Sequence, residues 1–388
     1  MAAELLARGA TVQLLTTRKA LSHPAYKLLA SETAGDVETI IMETGWEDRV
    51  LGQDDLPRRQ LRFFVQFKRY FGTAPRKQRP AVLFVPTLDH CDKLIGAFGS
   101  PFGTIPFTGL ALALKFHFRA MGVIKPFRAD DPVEEFLYWK MLRRDSLRRF
   151  FTIDKSLVEY VGQRQPELAH KVDYVPDPVE IRAEMSRADA RALLRLSPRS
   201  CVVLVYGEIE KRKGIECLLR ATDDPNFPVD AVIVLAGPQT EEVRALVGGE
   251  RACRLRLDGR LVEVDRFLVG RDEDVVFGAA DIVWLGYENF YWMSAVMIQA
   301  GRAGLPVIAS PSGLVGRLNR EHLLGLEVVP SDRSAVAGAV RRLAADTLLA
   351  AELGENGRRL ARSHDAKAFA VSICNGLIPE EPLGATEA

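Results

Sequence analysis

Apolar residues in this chain follow two alternating rhythms. Short runs such as "TVQLL", "VETII" and "AVLFV" have the length and β-branched content of strands. Between them lie polar stretches in which apolar residues return every three or four positions, the spacing of one helix face. In the first half this predicts a strand at "ATVQLLTTR", a helix at "SHPAYKLLASETA", a strand at "VETIIME", an amphipathic helix from Arg58 to Phe71, and strands at "AVLFVPTLD" and "TIPFTGL". The rhythm starts again at Cys201 with "CVVLVYG", "VDAVIVLAG", "DIVWLGY", "LPVIAS" and "LEVVP". These runs are apolar throughout rather than alternating, as expected of parallel strands covered by helices on both faces. The expected fold is α/β, with two Rossmann-like, doubly wound domains. Between the two successions, the Pro- and charge-rich stretch "VDYVPDPVEIRAEMSRADARALLRLSPRS" reads as a hinge.

The opening "MAAELLARGATVQLL" runs from a helix into a strand through Arg8-Gly9, whereas a nucleotide-type half-domain ordinarily begins with a strand. The expectation is therefore an N-terminal domain whose first strand is missing from this sequence. Its 388 residues exceed what one core usually supports, which agrees with two domains. The boundaries expected are 1–176, 177–365, and 366–388 for a last helix returning to the first domain, followed by a tail. With 52 basic and 51 acidic side chains the formal charge is +1, so attraction to nucleic acid or membrane has to come from local patches. Five scattered cysteines without C-x-x-C spacing argue against a disulfide scaffold or a structural zinc site, and fit a reducing cytoplasm. Neither a signal-peptide pattern nor a spanning apolar run is present, so the expected location is cytoplasmic.

Candidate chemistry gathers at two strand-to-helix junctions. In "VLVYGEIEKRKGIECLLRA" an apolar strand ends at Gly207, and Lys211, Arg212, Lys213 and Gly214 precede a helix pattern. Ligands of open α/β sheets bind outside the carboxyl ends of strands, where a helix N-terminus presents free N–H groups and partial positive charge. Cations added there suit a phosphate. The plainer alternative is a solvated cationic turn. The second junction is "AADIVWLGYENFYWMSAVMIQAGRAGLPVIASPSG", where a strand ends near Leu285, Ser294 is a good N-cap, and Gln299 lies one and a half turns into the helix. Its plainer alternative is a routine turn with Phe290, Tyr291 and Trp292 filling core. No G-x-G-x-x-G follows a strand and no G-x-x-x-x-G-K-[ST] occurs, which disfavours nicotinamide enzymes and P-loop NTPases.

The succession "PDPVEI", "YGEIEKRKGIECLLRA", "AADIVWLGYENF", "QAGRAGLPVIASPSG" and "LGLEVVPSDRSAVAGAVRRL" resembles the donor domain of the retaining family 4 glycosyltransferases of GT-B fold. The likeness covers residues from about Asp177 to Asp365; the N-terminal half matches in rhythm and in "LARGATVQLLTT". It implies a nucleotide-diphosphate sugar as donor substrate, no other cofactor and no metal. In that family the G-x-x-x-x-x-K-G loop beginning at Gly207 brings an Arg and a Lys to the diphosphate. The Lys falls on Lys213, while Glu208 occupies the Arg position, a departure that Lys211 or Arg212 would offset. Two glutamates are usual beside the second helix, and their positions hold Tyr291 and Gln299. Gln299 is expected to hydrogen-bond a ribose hydroxyl, and Glu288 to reach the sugar. Cations and N-terminal donors near Ser294 would stabilise the departing diphosphate.

The resemblance also implies a residue near the reacting carbon in the first half, often a histidine after a strand. The candidates are His90 and Asp89 in "VPTLDHCDK" and His117 in "LKFHFRAMG"; a packed core histidine is the alternative for both rings. Two basic, aromatic segments, "RRQLRFFVQFKRYF" and "LRRDSLRRFF", suggest a lipid-linked acceptor or peripheral contact with the inner face of the membrane. An amphipathic helix packed on its own sheet explains the first equally well. A glycan or small-molecule acceptor stays open, and no nucleic-acid reader motif is present. Two rival readings are a non-catalytic GT-B protein that binds nucleotide, glycan or a partner enzyme, and a sugar-nucleotide epimerase or hydrolase.

Overall fold

The computed structural model describes residues 1–43, 45, 47, 56–73, 79–180 and 185–378, and the chain divides into two compact units. The first comprises Met1–Met121, Phe127–Pro176 and the chain from Lys367 onward. Its strands β1 (Val12–Thr16) and β2 (Val37–Ile41) form a parallel pair. A separate parallel sheet holds β3 (Leu83–Val85), β4 (Phe107–Ala111), β5 (Leu147–Thr152) and β6 (Val172–Tyr174) in that order.

One core of this unit gathers Phe64, Phe71, Ile95, Phe102, Tyr138, Phe150 and Leu157. A smaller one joins Leu110, Phe151 and Val175 to Ile373 and Leu377 of the last helix, Ala366–Leu377. Adjacent residues of a strand face opposite sides of the sheet, which is why Phe150 and Phe151 serve different cores. The second basic, aromatic segment therefore contains a buried strand, although Arg148 and Arg149 interrupt its apolar run. The helix Leu56–Thr73 packs Phe63, Phe64, Phe67 and Phe71 against the first core, so its apolar side is already covered.

The second unit comprises Gly122–Pro126 and Asp177–Ala366. Six parallel strands, β7 (Cys201–Tyr206), β8 (Ala231–Ala236), β9 (Leu261–Val264), β10 (Ile282–Leu285), β11 (Val307–Ala309) and β12 (Gly325–Glu327), lie in the order β12-β11-β10-β7-β8-β9. Every residue of β7, β8 and β10 is buried, which explains their unbroken apolar sequences. Burial of each Val, Leu or Ile side chain contributes roughly 1.5–3 kcal/mol. The strand order reverses between β7 and β10, and that reversal is the topological switch point where such sheets receive ligands.

The stretch read as a hinge contains two regular elements. Val172–Tyr174 is β6, and the helix Arg187–Leu193 is anchored in the second unit by Arg191, whose guanidinium donates to the carbonyls of Ala279 at 3.1 Å and Pro198 at 2.6 Å and to Asp281 at 2.6 Å. Residues 181–184 of that stretch lie outside the described residues.

Candidate functional site

The loops that follow β7 and β10 are locked together. Gly214 has φ 65°, and a Cβ there would stand 2.1 Å from the Gly286 carbonyl oxygen, so only glycine permits both the turn and the approach. The Trp284 indole donates to the Lys213 carbonyl at 2.8 Å, and the Glu288 N–H donates to the Arg212 carbonyl at 2.8 Å. Gly207, where β7 ends, has φ 89°, and its carbonyl lies 2.0 Å from where Gly237 would carry a Cβ. The tips of β7, β8 and β10 thus converge on one backbone junction.

The three cations of this junction diverge. Lys213 is buried; its ammonium donates to the Tyr206 carbonyl and lies 5.7 Å from the centre of the Tyr287 ring. Burial, and then the neighbouring Arg212, push its pKa down to about 8. Arg212 grips Glu210 through two hydrogen bonds of 2.6 and 3.0 Å and lies over the Phe290 ring at 4.7 Å. Lys211 is exposed and faces Glu242 at 3.1 Å. Glu208 is also exposed. Of the three, Lys213 alone is aimed at the tip of β7.

On the other side of the switch point, Ser294 is buried just before the helix Ala295–Arg302, its Oγ 3.0 Å from the Tyr287 hydroxyl. Burial raises the Tyr287 pKa to about 12, so this hydroxyl stays protonated. Tyr291 contributes backbone: its carbonyl accepts from Leu314 N–H at 2.9 Å, and its chain presses on Gly313. Glu288 turns toward the Cys217 thiol, whose pKa is pushed up to about 11 by burial first and then by this carboxylate. Gln299 donates its side-chain amide to Glu273 Oε1 at 3.2 Å, and the Tyr206 hydroxyl donates to the same oxygen. Glu273 is a carboxylate that the sequence reading missed.

In the first unit, Asp89 and His90 lie together in a short turn after β3, the 3-10 segment Leu88–His90. The Asp89 carboxylate accepts the N–H groups of Leu112 at 2.7 Å and Ala113 at 3.0 Å, which ties the tip of β3 to that of β4. Burial raises its pKa despite those bonds. Neighbouring Asp92 is pushed up to about 7 by burial and by Asp89. The His90 ring rests on Phe63 at 4.9 Å, and burial followed by Arg59 and Arg62 lowers its pKa. Its buried Nδ1 has no hydrogen-bond partner among the described residues. His117 is placed differently: fully buried, it meets Asp154 at 2.7 Å among Phe116, Phe118 and Tyr160. The same Asp154 caps the helix Lys155–Arg164.

Among the described residues no group of three or more His, Cys, Asp or Glu side chains is placed to hold a metal ion, and no helix is long and apolar enough to cross a membrane. The fold is that of the GT-B glycosyltransferases. Sucrose-phosphate synthase from Thermosynechococcus elongatus superposes with a TM-score of 0.66 at 20% identity, over 96% of this chain and 89% of that one. WaaG, a glycosyltransferase involved in lipopolysaccharide biosynthesis, gives 0.64 at 14% identity over 97% and 94%. Anabaena Alr3699/HepE, solved in complex with UDP, gives 0.62 at 15% identity over 94% and 99%. Residues 186–360, nearly the whole second unit, match the family described as glycosyl transferases group 1. Two D-inositol 3-phosphate glycosyltransferases are similar to part of the chain: that of Saccharomonospora viridis is 32% identical over 190 residues, and that of Salinispora arenicola 30% identical over 188. These matches take in 46% and 45% of this chain and span less than half of either relative, 42% and 40%.

Proposed function

We propose that this protein transfers a sugar from a nucleoside-diphosphate sugar to an acceptor hydroxyl, with the donor's diphosphate at Lys213. The observation that carries the reading is a buried ammonium fixed at the switch point of a sheet whose segment 186–360 matches glycosyl transferases group 1. Anabaena Alr3699/HepE, which shares the fold, has been solved with UDP and with UDP-glucose, and this supports uridine nucleotides among the first probes.

Chemically, the bond between the anomeric carbon and the diphosphate oxygen breaks as the acceptor oxygen bonds to that carbon. Negative charge grows on the departing diphosphate. Lys213 and the backbone donors beginning at Ser294 oppose that charge more strongly in the transition state than in the ground state. We read the transfer as retaining and metal-independent, with the acceptor attacking from the face the nucleotide leaves and its proton passing to the leaving phosphate.

On the acceptor side the reading favours the Asp89-His90 turn over His117. His90 is half-buried with its pKa lowered, so as a neutral ring it is able to hydrogen-bond a substrate hydroxyl, whereas His117 is already bonded to Asp154 in the core. The covered apolar side of Leu56–Thr73 leaves only its polar side to meet an anionic lipid surface, so any membrane contact through this helix is peripheral.

A non-catalytic GT-B protein is the second reading. Its support is that Glu210 already neutralises Arg212 and that Lys211 faces Glu242, which leaves one cation for the diphosphate. Thermal-shift assays with UDP, GDP, ADP and their sugars, run on wild type and Lys213→Ala, test binding. A ligand at about a hundred times its Kd adds roughly 2.7 kcal/mol. Stabilisation by one nucleotide that is lost in the variant, followed by sugar transfer in an assay, supports the enzyme; stabilisation without transfer to any acceptor supports the second reading.

A further inference from the structure

The sheet of the second unit has two rims, and the loops around Lys213 occupy only the one at the carboxyl ends of its strands. At the other rim a cavity of about 830 Å³ opens at the starts of four strands, lined by Cys201 of β7 and by Asp230, Asp281 and Pro306, which precede β8, β10 and β11. That volume is in the range of a small-molecule site, yet open α/β sheets ordinarily take their ligands at the carboxyl rim. Phe277 and Leu305 give this cavity an apolar wall.

Charge sets it apart from a gap in the packing. Five arginines line it against three aspartates, which leaves two positive charges in excess. Arg187 and Arg191 share the carboxylate of Asp281, which also accepts the Val202 N–H at 2.7 Å. Arg302 ends the helix that follows β10 and pairs with Asp274 at 3.0 Å, but its Nε is buried without a hydrogen-bond partner among the described residues. Arg199 is exposed and has no ion pair among the described residues. Arg358 enters from the helix Thr347–Arg362 and lies across Gly304, where a Cβ would stand 2.0 Å from its guanidinium carbon.

An arginine fork matches the oxygens of a phosphate in pairs. A phosphate monoester at pH 7 carries close to the two negative charges that this lining calls for, and a carboxylate carries one. We propose that the cavity is a second binding site, for a small organic phosphate whose charged end meets Arg199 and Arg358 and whose body rests on the apolar wall. It lies roughly 20 Å from the donor loops, the length of a six-residue strand such as β7, and does not depend on the sugar-nucleotide reading.

The test is calorimetric titration of the full chain at pH 7 with phenyl phosphate, inorganic phosphate and benzoate. Wild type and Lys213→Ala are expected to bind phenyl phosphate equally, and more tightly than either of the other two probes. Arg199→Glu reverses an exposed charge and should lower that affinity about tenfold, the scale of one charge-assisted hydrogen bond. Ala351→Trp, at another exposed lining position, narrows the cavity without touching a charge and should weaken phenyl phosphate as well. Loss of binding in Lys213→Ala would put the anion at the donor loops, and unchanged affinity in both Arg199→Glu and Ala351→Trp would put it elsewhere on the surface. Either result would overturn the proposal, as would benzoate binding as tightly as phenyl phosphate, or wild type binding none of the three.

Discussion

The two units solve the same problem, a parallel sheet covered by helices, with unequal regularity. In the second, six strands run in one sheet, and the loops at its switch point are locked by Gly214 against Gly286 and by Trp284 on the Lys213 carbonyl. In the first, β1 and β2 pair apart from β3–β6, and the turn after β3 is tied to the next strand by Asp89. The loops where we propose that the donor binds are therefore held by backbone contacts. The first unit offers a local turn with unusual proton affinities. A sheet fixes where a ligand site lies, and the loops at its rim fix what that site can do.

The sharpest way to separate the units is to remove one group from each and ask which step fails. As a group that hydrogen-bonds the reacting sugar, His90 should cost about tenfold in turnover when replaced by Ala, with donor Kd unchanged; equal turnover in wild type and His90→Ala would remove the turn from the mechanism. Gly214→Val forces a side chain into the Gly286 carbonyl at positive φ, so stability should drop by about 3 kcal/mol in urea unfolding. A drop of less than 1 kcal/mol on the same scale would mean that the lock is not rigid. Lys213→Ala should weaken nucleoside-diphosphate binding by about 1.5–3 kcal/mol while leaving the first unit untouched, as hydrogen exchange resolved by segment can verify.

How legible these features were in the sequence follows from how local they are. β7, β8 and β10 announce themselves because every position is apolar and glycine follows each tip, and Lys213 because it precedes Gly214 at a strand-to-helix junction. β5 was hidden by Arg148 and Arg149, and β9 by its half-buried edge pattern in "LVEV". Glu273 could not have been found this way, since it is 67 residues from Tyr206 and only sheet topology brings the pair together. Nor does a sequence distinguish His117, enclosed beside Asp154, from His90, half-buried on Phe63: both are single histidines that follow a strand-like run.

Smaller effects sharpen the same comparison. His117→Ala removes a buried hydrogen-bond partner of Asp154 and should destabilise the first unit by about 1–3 kcal/mol with nucleotide affinity unchanged; loss of affinity would show that the ring has a role beyond packing. The pH dependence of Lys213 has a definite sign. Its folded pKa, about 8, lies below the ordinary lysine value, so folding favours the neutral amine and this contribution to stability grows as pH rises from about 8 toward the unfolded value. Lys213→Met should therefore leave the ligand-free Tm at pH 7 no lower than that of wild type. A clear fall would mark the ammonium as a structural tie to the Tyr206 carbonyl.

The central claim is that a protonated Lys213 holds the diphosphate of a sugar nucleotide. The most direct measurement is calorimetric titration of the best-binding nucleoside diphosphate into wild type and Lys213→Ala at pH 7 and pH 9. Wild type should bind at pH 7 and lose up to about tenfold in affinity by pH 9, as the free site gives up its proton. The variant should bind weakly at both values, with no such dependence on pH. Equal affinity for wild type and variant, or a wild-type affinity that rises with pH, would contradict the assignment.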